Sequence, residues 1–192
     1  MYSRPSLVAA CISCMTLAGC TGSGLFDTTR DTKIDNANLA LAEAAPLTPI
    51  LSVPNSGSAT YNGVMAANVS GAFTGSFDAD LSMNLDFASN TVSGQITHAD
   101  LIDDLGNTAQ TLDGTLIVTG SQAGGGIAAA ATGTLTGTSG PVIGAGVANF
   151  ALLGTVRDDI STADTVYGSV TGAITGNYDM SFADGEFYGT TP

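Results

Sequence analysis

Between residues 76 and 87 the chain alternates without a break. Phe77, Ala79, Leu81, Met83, Leu85 and Phe87 stand at every second position, and Ser76, Asp78, Asp80, Ser82, Asn84 and Asp86 fill the gaps. A helix would scatter those apolar side chains around its circumference, whereas a strand places all of them on one face. The segment is expected to be a half-buried strand with its three aspartates toward water, where they also discourage edge-to-edge association. Residues 91–98 repeat the pattern, and Ala88-Ser89-Asn90 between the two runs reads as a hairpin turn. Weaker versions cover residues 59–69, 112–120, 128–138, 146–155, 165–175 and 177–188, giving eight strands.

No amphipathic helix separates these runs, so a parallel βαβ arrangement is excluded and an antiparallel meander is left. Glycines recur inside the strands, at Gly63, Gly94, Gly114, Gly133, Gly168 and Gly172. There they weaken a flat sheet but permit the bulges and strong coiling of a tight cylinder. The expected fold is all-β, an eight-stranded antiparallel up-and-down β-barrel. Eight strands enclose a space that side chains can fill or that holds one small ligand. The expected fillers are Tyr61, Phe77, Leu81, Leu85, Val92, Ile96, Leu116, Leu135, Val147, Val170 and Phe182.

The N-terminus has a different character. Residues 1–5 carry one positive charge, on Arg4, and residues 7–17 are uncharged and mostly apolar. That run is too short for a bilayer span of roughly 20 residues, and it has the layout of an export signal. Leu17, Ala18, Gly19 and Cys20 follow at once and resemble the lipobox of bacterial lipoproteins. The resemblance implies cleavage before Cys20 and attachment of lipid to its sulfur. All three cysteines, Cys11, Cys14 and Cys20, lie in this region, so the rest of the chain is expected to fold without disulfides or thiolate metal sites. The Cys11/Cys14 spacing lies inside the apolar leader and is not read as a redox or zinc motif. Thr21 after the cysteine goes, in lipoproteins of this kind, with transport to the outer membrane.

The domain boundaries follow: residues 1–19 as signal, 20–57 as lipidated Cys20 and linker, and 58–192 as the barrel. The linker contains Pro46, Pro49 and Pro54, with a short helical pattern at residues 36–45 capped by Asn36. A coil of this length spans roughly 30 to 35 Å and serves as a spacer.

A family resemblance emerges from short motifs in the barrel region. They are Ala59-Thr60-Tyr61-Asn62-Gly63, Leu85-Asp86-Phe87 with Thr91-Val92-Ser93-Gly94-Gln95-Ile96, and Leu112-Asp113-Gly114-Thr115-Leu116. Val170-Thr171-Gly172-Ala173-Ile174 and Phe187-Tyr188-Gly189 complete the series. Together they resemble the barrel domain of transferrin-binding-protein-like surface lipoproteins. That resemblance implies an outer-membrane lipoprotein, often displayed at the cell surface, with members that capture host proteins or haem carriers. The chain departs from the family in having one barrel without a handle domain, and in lacking basic aromatic loops and a Gly-Pro after the final aromatic pair. Transferrin itself is therefore not the expected ligand.

Residues that carry chemistry are sparse. His98 is the one histidine, with Asp100, Asp103 and Asp104 nearby, and reads more readily as a loop residue than as a general base or metal ligand. No G-x-S-x-G elbow marks a nucleophile, so no enzyme and no cofactor are expected. Asp103-Asp104 and Asp158-Asp159 are acidic pairs without the spacing of a calcium loop. Gly124-Gly125-Gly126 lacks the lysine and helix of a phosphate loop and reads as a hairpin tip. From residue 34 onward Arg157 is the one basic side chain against 15 acidic ones, which excludes nucleic acid as the main partner.

The leading expectation is a monomeric, non-enzymatic outer-membrane lipoprotein, anchored to the membrane through Cys20, whose barrel loops bind a protein or haem-type partner. The alternatives are a structural envelope lipoprotein and a lipocalin-like carrier with its ligand inside the barrel. Replacement of Cys20 (Cys20→Ser) should leave the precursor uncleaved and unlabelled by radioactive palmitate in a bacterial host. Normal processing of that variant would remove the anchor.

Overall fold

Each alternating run becomes a strand, and one more strand appears. In the computed structural model, which describes residues 56–158 and 164–192, the elements are β1 (Ser58–Gly71), β2 (Gly75–Asp86), β3 (Thr91–Ile102), β4 (Thr108–Leu112), β5 (Leu116–Ala123), β6 (Gly126–Gly137), β7 (Gly144–Asp158), β8 (Asp164–Gly176) and β9 (Met180–Thr190). Neighbours in sequence pair antiparallel, and β1 also pairs with β9, which closes the sheet. The result is an eight-stranded antiparallel barrel with β4 as an extra strand.

β4 is the outer part of an interrupted stave. β5 pairs with β3 from Thr91 to Ile96, and β4 resumes the pairing at Ala99. Between them Asp113 forms an isolated bridge to Thr136 of β6, exchanging two backbone hydrogen bonds of 2.9 and 2.8 Å. Residues 112–120 are therefore not the single strand that alternation suggests. The break faces a bulge in β3, where four residues (Thr97 to Asp100) span three on β2 (Asp80 to Asp78). His98 sits in that bulge with φ of 52°. A bulge shifts the parity of everything after it, so Ala99 and Leu101 face inward beyond it, and β3 continues past His98 to Ile102.

Inside the barrel the apolar residues form one cluster. Phe77 of β2 and Phe150 of β7 face each other across the diameter, with ring centroids 5.8 Å apart. Phe182 of β9 packs edge-on against both, at 5.2 and 4.8 Å. These rings meet in the middle, so side chains fill the barrel at this level. Tyr61, Met65, Met83, Leu85, Leu116 and Phe187 are fully buried as well. Gly154 and Gly168, paired across β7 and β8, make room for one of these groups: a Cβ built on either would lie 2.6 or 2.5 Å from the Phe187 ring.

Two expectations about facing are corrected. Val147 is 58% exposed, because Ala148 and Phe150 are the inward residues of β7 and Val147 has the opposite parity. Asp78 lies on the outer parity of β2 yet is only 4% exposed, between Ala66 of β1 and Asp100 of β3. Ser76, Val64 and Ala66 beside it are also buried. Asp80 and Asp86 do reach the surface. The 177–188 run is trimmed too: Asn177, Tyr178 and Asp179 form the connection, and β9 begins at Met180.

Truncating the central ring, Phe150→Ala, should lower unfolding stability by about 3 to 5 kcal/mol, the range for aromatic removal from a packed core. Asn149→Ala on the outer face should change it by less than about 0.5 kcal/mol. Urea denaturation followed by far-UV circular dichroism reads both.

Candidate functional site

The two ends of the barrel differ. The chain enters at Ser58 and leaves after Thr190, and the β1–β9 register places both termini at one end. The β2–β3 and β5–β6 turns share that end. In the β2–β3 turn Asp86 Oδ1 accepts backbone N–H bonds from Ala88 and Ser89 at 2.9 and 3.0 Å. Those bonds hold the Asp86 carboxyl below the usual carboxylate range. The β5–β6 turn is Gly124-Gly125, with φ of 55° and 84°, a two-residue type I′ hairpin tip. Gly124-Gly125-Gly126 is thus a hairpin tip, as its composition suggests.

At the distal end stand the connections 72–74, 103–107, 138–143 and 177–179. Two of them carry apolar tips: Leu105 is 86% exposed and Ile143 68%. Exposed side chains of this kind usually sit on loose loops, but both loops here are tied down. Asp103 Oδ1 accepts N–H bonds from the backbone of Leu105 and Asn107, each 2.9 Å. The Asn107 side chain adds bonds to both Asp103 oxygens. The bond from the Asn107 backbone contributes most to holding the Asp103 carboxyl below its ordinary range. The other loop is clamped by Gln110 of β4, which is buried. Gln110 Nε2 donates to Val142 O at 2.9 Å, and Val142 N donates to Gln110 Oε1 at 3.1 Å. Gly140 follows the same surface with φ of 108°, and a side chain there would press on the Gln110 amide at 3.0 Å. Beneath the rim, Tyr178 Oη donates to Leu135 O at 2.8 Å.

The strand that sequence reasoning did not find thus fastens the loop that carries Ile143 and follows the loop that carries Leu105. Neither tip was among the expected site residues. The available signal was an apolar residue inside turn chemistry, Asp-Asp-Leu-Gly-Asn and Ser-Gly-Pro-Val-Ile.

The expected site residues are placed as follows. Leu17, Ala18, Gly19 and Cys20, together with Cys11, Cys14 and the linker up to residue 55, lie outside the described residues. So does Asp159. His98 Nδ1 stands 3.0 Å from Asp80 Oδ2, with both side chains exposed. Asp100 accepts a hydrogen bond from Thr111 Oγ1 at 2.6 Å. Asp103 is occupied by N–H donors, which is the chemistry of a turn and not of a calcium ligand. Among the described residues no three of His, Cys, Asp and Glu are grouped to hold a metal ion. On the outer wall Tyr167 Oη donates to Glu186 Oε1 at 2.9 Å. Desolvation first, and then Glu186, push this phenol up to about 12, so it remains a donor at neutral pH.

The arrangement offers no nucleophile and base in contact among these groups. It offers a closed, filled barrel that holds two apolar tips on stiff loops at the end away from its termini. Compared with protein families, with characterised proteins and with solved structures, the chain matches none.

Gln110→Leu should leave the Val142 N–H and C=O without partners and cost about 1 to 3 kcal/mol. Limited proteolysis should then cut within residues 138–143 faster than in the unmodified protein, with the strand content unchanged.

Proposed function

We propose that this protein is a non-enzymatic outer-membrane lipoprotein, tethered through Cys20, whose barrel binds a protein or haem-carrying partner through its distal loops. The observation that carries the reading is the exposure of Leu105 and Ile143 on loops already fixed by Asp103 and Gln110. Apolar side chains held out rigidly lose little entropy on binding, which is what contact anchors need. Their position also fits a tether, since the anchored end and the binding end are opposite.

The packed interior supports loops over lumen as the place of binding. A carrier of the lipocalin type needs open space along the axis, and the Phe77, Phe150 and Phe182 rings occupy it. The polarity of the wall supports a barrel that is attached to the membrane by lipid and does not cross it. Its core is apolar and β2 turns Asp80, Ser82 and Asn84 outward, the reverse of a strand that faces hydrocarbon.

The test uses bacterial cells displaying the full chain, incubated with labelled iron- and haem-carrying proteins. A protein retained by cells with the natural chain should be lost at least roughly tenfold from cells with the double variant Leu105→Asp and Ile143→Asp, given hot-spot costs of about 2 kcal/mol or more. Equal retention by the two would overturn the loop reading, and survival of the barrel under protease shaving of intact cells would overturn surface display.

A further inference from the structure

The outer wall of the barrel differs in exposure from one side to the other. On β5 and β7 the outward side chains Ile117, Val147 and Leu153 stand open to solvent, each more than half exposed. On β1 and β2 the outward side chains are covered. Ala66 is 5% exposed and Ser76 1%, and Val64 and Asp78 are buried with them, while Met65, Ala67, Phe77 and Ala79 between them face the core. Val64 and Ala66 form a small apolar cluster of their own. Beyond the bulge, Ile102 of β3 extends the patch: it pairs with Ser76, is buried, and lies outside the main core cluster. The side-chain oxygen of Asn68, opposite Ser76, has neither water access nor a hydrogen-bond partner among the described residues.

Strands alone do not produce this. The outside of a closed barrel is convex, so outward side chains splay apart, and Ala and Ser are too small to be enclosed by neighbours on the same wall. The described connections stand at the two ends of the barrel, whereas Val64 and Ala66 lie in the middle of β1. The charge on this wall points to the cover. Asp78 is buried beside these apolar groups, with Asp100 directly opposite on β3 and Asp80 two residues along. Carboxylates taken out of water need donors or cations. Thr111 donates to Asp100, His98 stands by Asp80, and Asp78 is not free either. Among the described residues the one Lys or Arg is Arg157, and it stands on β7, four strands from β2 in either direction round the barrel. The chain has three other basic side chains: Arg4, within the expected signal, and the close pair Arg30 and Lys33. Ile34 follows that pair directly.

We propose that this wall is a docking site for the chain's own residues 30–34, Arg-Asp-Thr-Lys-Ile, with the two cations against Asp78 and Asp100 and Ile34 against Val64 and Ala66. The reach fits. Lys33 precedes Ser56 by 23 residues, a coil with a root-mean-square span of roughly 26 Å, and Ala66 stands about 26 Å along β1 from Ser58. A linker matched to its span gives a high effective concentration, so a modest contact is enough to hold the segment. Docking here shortens the spacer to residues 21–29 and withdraws an apolar and acidic patch from the surface offered to other molecules.

Trypsin, which cuts after Arg and Lys, provides the test. The full chain in non-ionic detergent micelles is compared with a synthetic peptide of residues 26–38, which carries the same two sites and has no wall to dock on. Cleavage after Arg30 and Lys33 should be at least roughly tenfold slower in the chain than in the peptide, because proteolysis follows the population of the released segment. Asp100→Lys, at a half-buried position, should restore most of the peptide rate, whereas Asp104→Lys on the distal rim, equal in charge, should not. Circular dichroism checks that strand content is unchanged in both. Ile34→Asp alters no barrel residue, so it cannot act by unfolding the barrel, and it too should bring the chain close to the rate of a peptide with the same change. Cleavage of the unmodified chain at the peptide rate would overturn the proposal. Slow cleavage that Ile34→Asp leaves unchanged, or equal effects of Asp100→Lys and Asp104→Lys, would also overturn it.

Discussion

Closure of the sheet by β1 against β9 is the constraint from which the other features follow. Once the first and last strands are joined, every inward side chain is committed to one narrow cavity, and its volume must be filled. Phe77 and Phe150 reach across the full diameter, Phe182 completes the contact, and Phe187 takes the space opened by Gly154 and Gly168. Those glycines serve closure in two ways: they allow adjacent strands to coil tightly and they leave no Cβ where a ring must lie. Closure also removes the free sheet edges everywhere except along β4, which pairs with β3 alone.

Closure decides where the connections stand as well. An antiparallel barrel with paired first and last strands puts both termini at one end and four connections at the other. With the interior occupied, surface chemistry is confined to the outer wall and the rims. Charged strand residues lie on β2, β3 and β9 and at the ends of β7 and β8, and Asp113 stands in the break between β4 and β5, bridged to Thr136 of β6. The distal rim holds two clamped apolar tips. Leu105 owes its position to an aspartate that accepts N–H bonds across the turn, and Ile143 to a buried glutamine that substitutes for a neighbouring strand.

Much of this was legible in the chain. The alternation from Phe77 to Leu85 fixes a strand and its inner face without ambiguity, and the Gly124-Gly125 tip reads correctly as a turn. What escaped has definite physical causes. The bulge at His98 reverses parity, so a reader who follows strict alternation stops there and loses the second half of β3 and its partner β4. Val147 lies in a strand with apolar residues on both faces (Val147, Ala148, Phe150, Ala151, Leu152, Leu153), and period two does not say which set is inside. Gln110 shows no sequence signal, because a buried clamp looks like any surface glutamine until its partner loop is placed. Leu105 and Ile143 are hidden for the opposite reason: an apolar residue inside a turn is ordinarily assumed to turn inward.

The contact between Phe77 and Phe150 is where the account is most exposed, since it requires both closure and a filled interior. Nuclear Overhauser spectra of the folded protein should show cross-peaks between the two rings and from each to Phe182, in keeping with centroid separations of 4.8 to 5.8 Å. If Phe77 and Phe150 show no mutual cross-peak and instead report contacts with water or a bound small molecule, the barrel is open along its axis, and binding through the rim loses its structural basis.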